Sequence, residues 1–452
     1  MVYEAEAEAI SIALTGDAMI NRRMSTYREP AFLDMVSLLH GADATFANLE
    51  QCFHEWEMGY GSVQSSSFQV SHPEMLAELT WLGIDAVSTA MNHAWDYGEA
   101  GLLATMENCK RFGIQQAGSG MNLGESRAPV FLDTPRGRVA FMAASSSNWV
   151  PDNAFAGPGR PDFPGKPGIN VLRNTTRYLV PPDEFDAIQR LHHGLKLDEA
   201  EESSRRFHPR EREDDNAADD IRFMGQTYRR SDHFGMETAC NPDDLSGIGS
   251  WIRGARKASD FVVYGVHFHD SAFEGEFHGG SRIGPPDFMT EFAHFAIDQG
   301  CDVVVGHGSH FLRGIEIYNG RPIFYSLGNF IFQNETVQRV PAPAYSFFGL
   351  GDDATPGDWG LARSGGEQYG FAVDPVFYQT VVPICDFDGG KLKEIRLFPV
   401  DLGFGRPMSQ RGRPVLADPH KANEILTWLR NVSAPFGTEI EVVGTVGVIR
   451  VL

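Results

Sequence analysis

Five apolar runs in this chain each stop at groups able to bind a cation or move a proton, and that pattern narrows the folds open to it. SIALTG ends at Asp17, ATFANL at Glu50, and AVSTAM at Asn92 and His93. FVVYGV ends at His267 with His269 beyond it, and DVVVG at His307 with His310 beyond it. Short apolar runs bounded by polar turns read as buried strands. Between them AFLDMVSLLHGAD, PEMLAELTWLGID, GIGSWIRGARKASD and PDFMTEFAHFAIDQG carry helical spacing. Strands alternating with helices predict a layered α/β domain, in which ligand sites gather outside the carboxyl ends of strands. One histidine at a strand end is commonly a structural, hydrogen-bonded residue; five such ends predict a shared crevice.

Composition narrows the partners. The chain is 42% apolar and 22% charged, enough to bury a core. Its net charge of −22, from 60 acids against 38 bases, argues against a nucleic-acid or anionic membrane partner. Five scattered cysteines with no CxxC give neither a disulfide framework nor a thiolate metal site, and fit a reducing compartment. No stretch reaches the ~20 apolar residues that span a bilayer. MVYEAEAEAISIALTGD lacks the basic and apolar regions of a signal peptide. A soluble cytoplasmic protein is expected.

The strand–helix rhythm breaks over 148–245. There VPDNAFAGPGRPDFPGKPGIN and KLDEAEESSRRFHPREREDDNAADD predict a loop-rich, charged insertion. The rhythm resumes at 247 and closes with an Asn-Gly hairpin in GIEIYNGRPIFYSLGNFIF. Residues 1–340 therefore read as one catalytic domain carrying the insertion. After a Pro/Gly-rich bridge over 341–370, residues 371–452 read as a mainly β part with one helix, completing or capping the sandwich.

Asp17, Glu50, Asn92, His267, His269, His307 and His310 are the candidate metal ligands. Oxygen and imidazole donors without thiolate suit Mn, Zn or Fe, as one divalent ion or as two roughly 3.5–4 Å apart. An adjacent imidazole not needed as a ligand can protonate a leaving group. Asp96 followed by Glu99 has the form of a capping box for the helix behind it. Arg160, Lys166 and Arg173 are candidate contacts for a substrate anion. Asn329 is read with the substrate-binding groups, where it either orients a ligand or closes a turn. Ser145, Ser146 and Ser147 lie in no G-x-S-x-G elbow, which disfavours a serine nucleophile.

GDAM (16–19), NLE (48–50), MNHAWDYGEAGLLATM (91–106), GHGSHFLRGIEIYNGRPIFYSLGNFIF (306–332) and RGRPVLADPHKANEILTWLRNVSAPFGTEIE (411–441) resemble the bacterial poly-γ-glutamate capsule-synthesis proteins of the CapA type. That family is similar in turn to the calcineurin-like metallophosphoesterases. The resemblance covers most of the chain outside 148–245 and implies a four-layered α/β/β/α metallophosphatase-like sandwich. It implies that Asp17 is the first-metal aspartate, Glu50 the bridging acid and Asn92 the second-metal asparagine. By the same resemblance His93 assists the leaving group with Asp96 beside it, and His267, His307 and His310 complete the ligands. Met19 stands where phosphoesterases carry a histidine, and Gly308 where their last motif often carries another; His269 is the candidate replacement. The implied activity is metal-dependent hydrolysis of a γ-glutamyl or related amide, with phosphoester hydrolysis as the alternative. A non-catalytic polymer-binding or assembly role in capsule synthesis is a third reading. The implied partner is a small or oligomeric amide or phosphate substrate.

Overall fold

The computed structural model describes residues 9–57, 61, 68–207, 219–273 and 282–451. Residues 1–8 of the N-terminal segment discussed above lie outside that set. Two sheets position everything else. In the first, Ala9–Met19 is central, parallel to Ala44–Leu49 on one side and antiparallel to Gln379–Asp388 on the other. Ala86–Ser88 and Gln115–Ala117 extend the parallel side. Lys391–Asp401 and Val446–Arg450 extend the antiparallel side, so strands from both ends of the chain share this sheet. In the second, Gly137–Ser146, Phe261–His267, Val303–His307 and Arg321–Phe324 run parallel. Ile315–Tyr318 joins the last of these through Asn319-Gly320, whose positive φ angles are those a two-residue hairpin turn requires.

The central strands are apolar on both faces because both faces are covered. Ile10, Ile12, Leu14 and Phe46 of the first sheet meet Phe141, Val263 and Val305 of the second. Phe46 and Phe141 stack at 5.3 Å, worth about 0.5–1.5 kcal/mol beyond burial. Alternate residues turn outward, as the pleat dictates. Val262, Tyr264 and Val304 pack with Ile252 and Phe292 of the helices Pro242–Ala258 and Asp287–Gln299. Ala47 and Leu49 pack with Phe32 and Leu79 of Pro30–His40 and Met75–Leu82. The molecule is thus a mixed α/β protein with helices outside paired sheets. The late helix Pro419–Ser433 differs, entering the inter-sheet core through Ile425, Leu426 and Leu429.

Two stretches read as loop are folded. The 148–245 insertion contains a separate four-stranded sheet, Asn174–Val180, Asp220–Phe223, Gln226–Arg230 and Gly235–Cys240. It also contains the helices Pro182–Gly194 and Leu197–Phe207. Polar residues carry the pairing there: Asp220 accepts from both Arg177 and Arg229, so apolar alternation is weak. Residues 208–218 of the charged run lie outside the described residues. The 341–370 bridge folds into Ala342–Phe347 and Pro356–Arg363, the second opened by a Thr355 capping box. Among the described residues no helix is long and apolar enough to cross a membrane.

Register brings the polar strand ends level. Asp17 lies opposite Asn48 and Asn329, and His267 opposite Ser145 and His307.

Candidate metal centre

Glu50, just beyond its strand, is 0% exposed, and neither carboxylate oxygen has a hydrogen-bond partner. Its Oε1 lies 3.6 Å from His310 Nε2 and 3.9 Å from His267 Nε2. Ligand atoms of Glu50, His269 and His310 all fall within 4.8 Å of one another. His267 Nε2 and His269 Nε2 are 3.2 Å apart. Asp17 lies against the same group, with Oδ2 3.7 Å from His310 Nδ1. Unlike Glu50 it is already held: Asn48 Nδ2 donates to Oδ1 at 2.9 Å and the Gly308 N–H to Oδ2 at 3.0 Å.

The ring orientations expose lone pairs. His310 Nδ1 sits 2.9 Å from Asn329 Oδ1, which can only accept, so that nitrogen carries the hydrogen and Nε2 faces Glu50 bare. His307 Nε2 donates to the Thr15 carbonyl, leaving Nδ1 buried without a partner. Asn92 Oδ1 and Asn48 Oδ1 are likewise buried and unpartnered. Unsatisfied acceptors of this kind cost about 1–3 kcal/mol each, and a concentration of acceptors lacking donors is what a cation satisfies. The residues present therefore fit a divalent metal.

Electrostatics point the same way. Burial pushes the Asp17 carboxyl up, against the hydrogen bonds from Gly308 and Asn48. Burial, with Asp17 and Asp96 nearby, raises Glu50 well above the ordinary range. His307 and His310 are lowered to about 4 by burial. His267 and His269 are held well below the imidazole range by burial and by neighbouring imidazoles, His93 among them. Carboxylates that resist ionising beside imidazoles that resist protonating are relieved together by a bound cation.

His93 lies on the one-turn helix Asn92–Trp95, and its Nδ1 is 2.8 Å from Asp96 Oδ2. Asp96 also accepts from the Gln69 N–H at 2.8 Å. It does not cap the helix behind it: Gly98–Arg111 starts after Tyr97 with no side-chain cap, because the carboxylate is turned to the imidazole. Asn329 is fully buried, with its amide given to His310 and to the Phe377 carbonyl, so it orients an imidazole and is closed to substrate.

The three basic residues of the insertion are not gathered here. Arg173 pairs through Nε and Nη2 with Asp244, Arg160 pairs with Asp162, and Lys166 donates to the Asn153 carbonyl. Among the described residues no hydrogen bond or ion pair links them to the cluster.

The two departures in the sequence have physical causes. Met19 is buried in the core facing the outer helices, so no imidazole enters from that position. Gly308 has φ +95°, and a Cβ there would come 2.9 Å from His267 Nε2, so His267 excludes a side chain. His310 itself has φ +64°, strain of the kind retained at functional sites. Three neighbours escaped the sequence reading. Asn48 bridges Asp17 and His267. The exposed Trp149 ring lies 5.3 Å from His269, and Phe371 lies 5.2 Å from His310. Only the NLE motif signalled the first, and a large ring inside a Pro/Gly-rich stretch was the sole sign of Trp149; Phe371, just past such a stretch, carried no signal.

A family model described as bacterial capsule synthesis protein PGA_cap matches residues 11–334. Two uncharacterized proteins of Sinorhizobium fredii are each 32% identical over 456 residues, covering 98% of this chain and 93% of theirs. PGA biosynthesis protein CapA of Bacillus subtilis is 22% identical over 72% of this chain and 64% of its own length. A probable polyglutamine synthesis accessory protein of Mycobacterium tuberculosis is 25% identical over 59% of this chain and 50% of its own. A solved putative 5′-nucleotidase from Staphylococcus aureus is 10% identical and covers 93% of this chain and 59% of that one, at a TM-score of 0.35 that is too low to define a shared fold. The family match across most of the chain, beside 32% identity to the Sinorhizobium fredii proteins over nearly its full length, makes this chain a member of the bacterial capsule synthesis family PGA_cap.

Proposed function

We propose that this protein is a metal-dependent hydrolase acting on an amide bond of γ-glutamyl or related type. The observation that carries this reading is Glu50, wholly buried and without a donor, 3.6 Å from the bare Nε2 of His310. Glu50, His269 and His310 would hold the ion, with Asp17, Asn92, His267 and His307 around them. Mn, Zn or Fe suits this donor set, as one ion or two. A bound divalent ion supplies Lewis acidity and a water that ionises near neutral pH. His93, fixed through Nδ1 by Asp96, exchanges a proton at Nε2 with the leaving group. Our reading of the scaffold is a four-layered α/β/β/α sandwich of metallophosphatase type, with the cluster at the carboxyl ends of its strands.

The names of the Bacillus and Mycobacterium relatives support a glutamate-polymer substrate class. The imidazoles missing at Met19 and Gly308 favour an amide over a phosphoester. The same names also favour a second reading, a polymer-binding accessory of capsule synthesis without turnover. The test is purified protein with Mn²⁺, Zn²⁺ or Fe²⁺ against γ-glutamyl amides and a simple phosphoester. Metal-stimulated amide cleavage is expected. Phosphoester cleavage alone selects the alternative bond, and metal binding with neither activity selects the accessory role.

A further inference from the structure

Outside the strand-end cluster, the insertion gathers a second set of ligand-type side chains. The helices Pro182–Gly194 and Leu197–Phe207 are consecutive. His192 and His193 lie in the last turn of the first, and Asp198 and Glu201 in the early turns of the second. His192 is 3% exposed. Its Nε2 lies 3.2 Å from Glu201 Oε1, and its Nδ1 lies 3.0 Å from Asp198 Oδ1 without making a hydrogen bond of acceptable geometry. His193 Nδ1 contacts the other oxygen of Asp198. Ligand atoms of His192, His193 and Asp198 all fall within 4.8 Å of one another.

A neutral imidazole carries one N–H. When Glu201 takes it at Nε2, the His192 Nδ1 lone pair faces a carboxylate oxygen, and two acceptors 3.0 Å apart repel unless a shared cation or a second ring proton satisfies both. Ligands about 2.0–2.1 Å from a tetrahedral Zn²⁺ lie about 3.3 Å from each other, close to the separation here. Glu201 then has the place of the carboxylate that fixes a metal-binding histidine from behind. We propose that His192 Nδ1, His193 Nδ1 and the Asp198 carboxylate form a second divalent-cation site, of the Zn²⁺ type, that pins these two helices together. Three protein ligands leave a fourth position to water. The ion's role here is structural, because its ligands join the end of one helix to the start of the next.

The test is zinc content of the full chain, stripped with chelator, reloaded with Zn²⁺ and dialysed. His193 and Asp198 are exposed, so a His193→Ala/Asp198→Asn variant keeps its fold and is expected to bind one equivalent less than the unaltered chain. Glu201→Gln is expected to keep the equivalent and weaken its affinity roughly 10–100-fold. The same loss should follow when the His193→Ala/Asp198→Asn change is made in a Glu50→Gln/His310→Ala background, which separates this site from the strand-end cluster. Equal zinc contents with and without the His193→Ala/Asp198→Asn change overturn the proposal and leave a histidine–carboxylate pair held by protons.

Discussion

His310 Nε2 faces Glu50 Oε1 at 3.6 Å because Asn329, on the strand Asn329–Phe332, holds the other nitrogen of the same ring. That amide is the lever on the ligand. Asn329→Ala is expected to leave the sheets intact and to weaken metal affinity roughly 10–100-fold, the usual cost of losing a partner behind a ligand. Titration calorimetry with Mn²⁺ or Zn²⁺ measures it, and unchanged affinity would remove Asn329 from that role.

His93 and Asp96 are expected to separate chemistry from metal binding. His93→Ala should retain the bound metal and lose roughly 10²–10⁴-fold in kcat, the range for a positioned proton donor. Asp96→Asn should lose less in kcat and shift the pH profile, since the ring stays but its orientation is no longer fixed by a carboxylate. Equal turnover by His93→Ala and the unaltered chain would end that assignment.

The pH dependence of metal uptake has a definite sign. Burial raises the Asp17 carboxyl to about 7, so in the metal-free fold it still holds a proton at pH 6. His307 and His310 stand at about 4 and are already neutral there. Protons therefore compete with metal on the carboxylates and not on these imidazoles. Affinity is expected to rise as pH increases from 6 through about 7, with proton release on binding, measurable by calorimetry in buffers of different ionisation enthalpy. Affinity that falls over this range would contradict the assignment.

Asp244 ties the insertion to the body. It accepts from Arg127 Nη2 at 2.6 Å and from Arg173 Nε at 2.7 Å, and the Arg127 side chain is nearly buried. Asp244→Ala strands that buried cation and is expected to cost roughly 3–5 kcal/mol, read as a lowered denaturant midpoint. Arg160→Ala and Lys166→Ala, whose partners are local and exposed, should shift neither stability nor KM appreciably.

The strand ends were legible because buried parallel strands are continuous apolar runs, and a polar group closing such a run stands out. Glu50, His269 and His310 came together as that logic requires. Asp96 was legible as a residue that matters, but the capping-box spacing misled: side-chain direction depends on where the helix starts, and it starts at Gly98. Arg173 looked like an anion contact because a sequence cannot show that Asp244 neutralises it from 71 residues away. The insertion sheet was illegible for the opposite reason to the core strands. Its pairing is held by charged partners such as Asp220 with Arg229, so no apolar period marks it.

The central claim is that the strand-end cluster is a metal centre built on Glu50, and its most direct measurement is metal per chain in Glu50→Gln beside the unaltered protein. The substitution keeps the side chain's size and removes the carboxylate, putting an NH2 donor in place of one acceptor oxygen at a fully buried position. The prediction is that Glu50→Gln folds, retains only the metal removed by His193→Ala/Asp198→Asn, and loses hydrolysis. Metal content equal to that of the unaltered chain, with activity preserved, would contradict it.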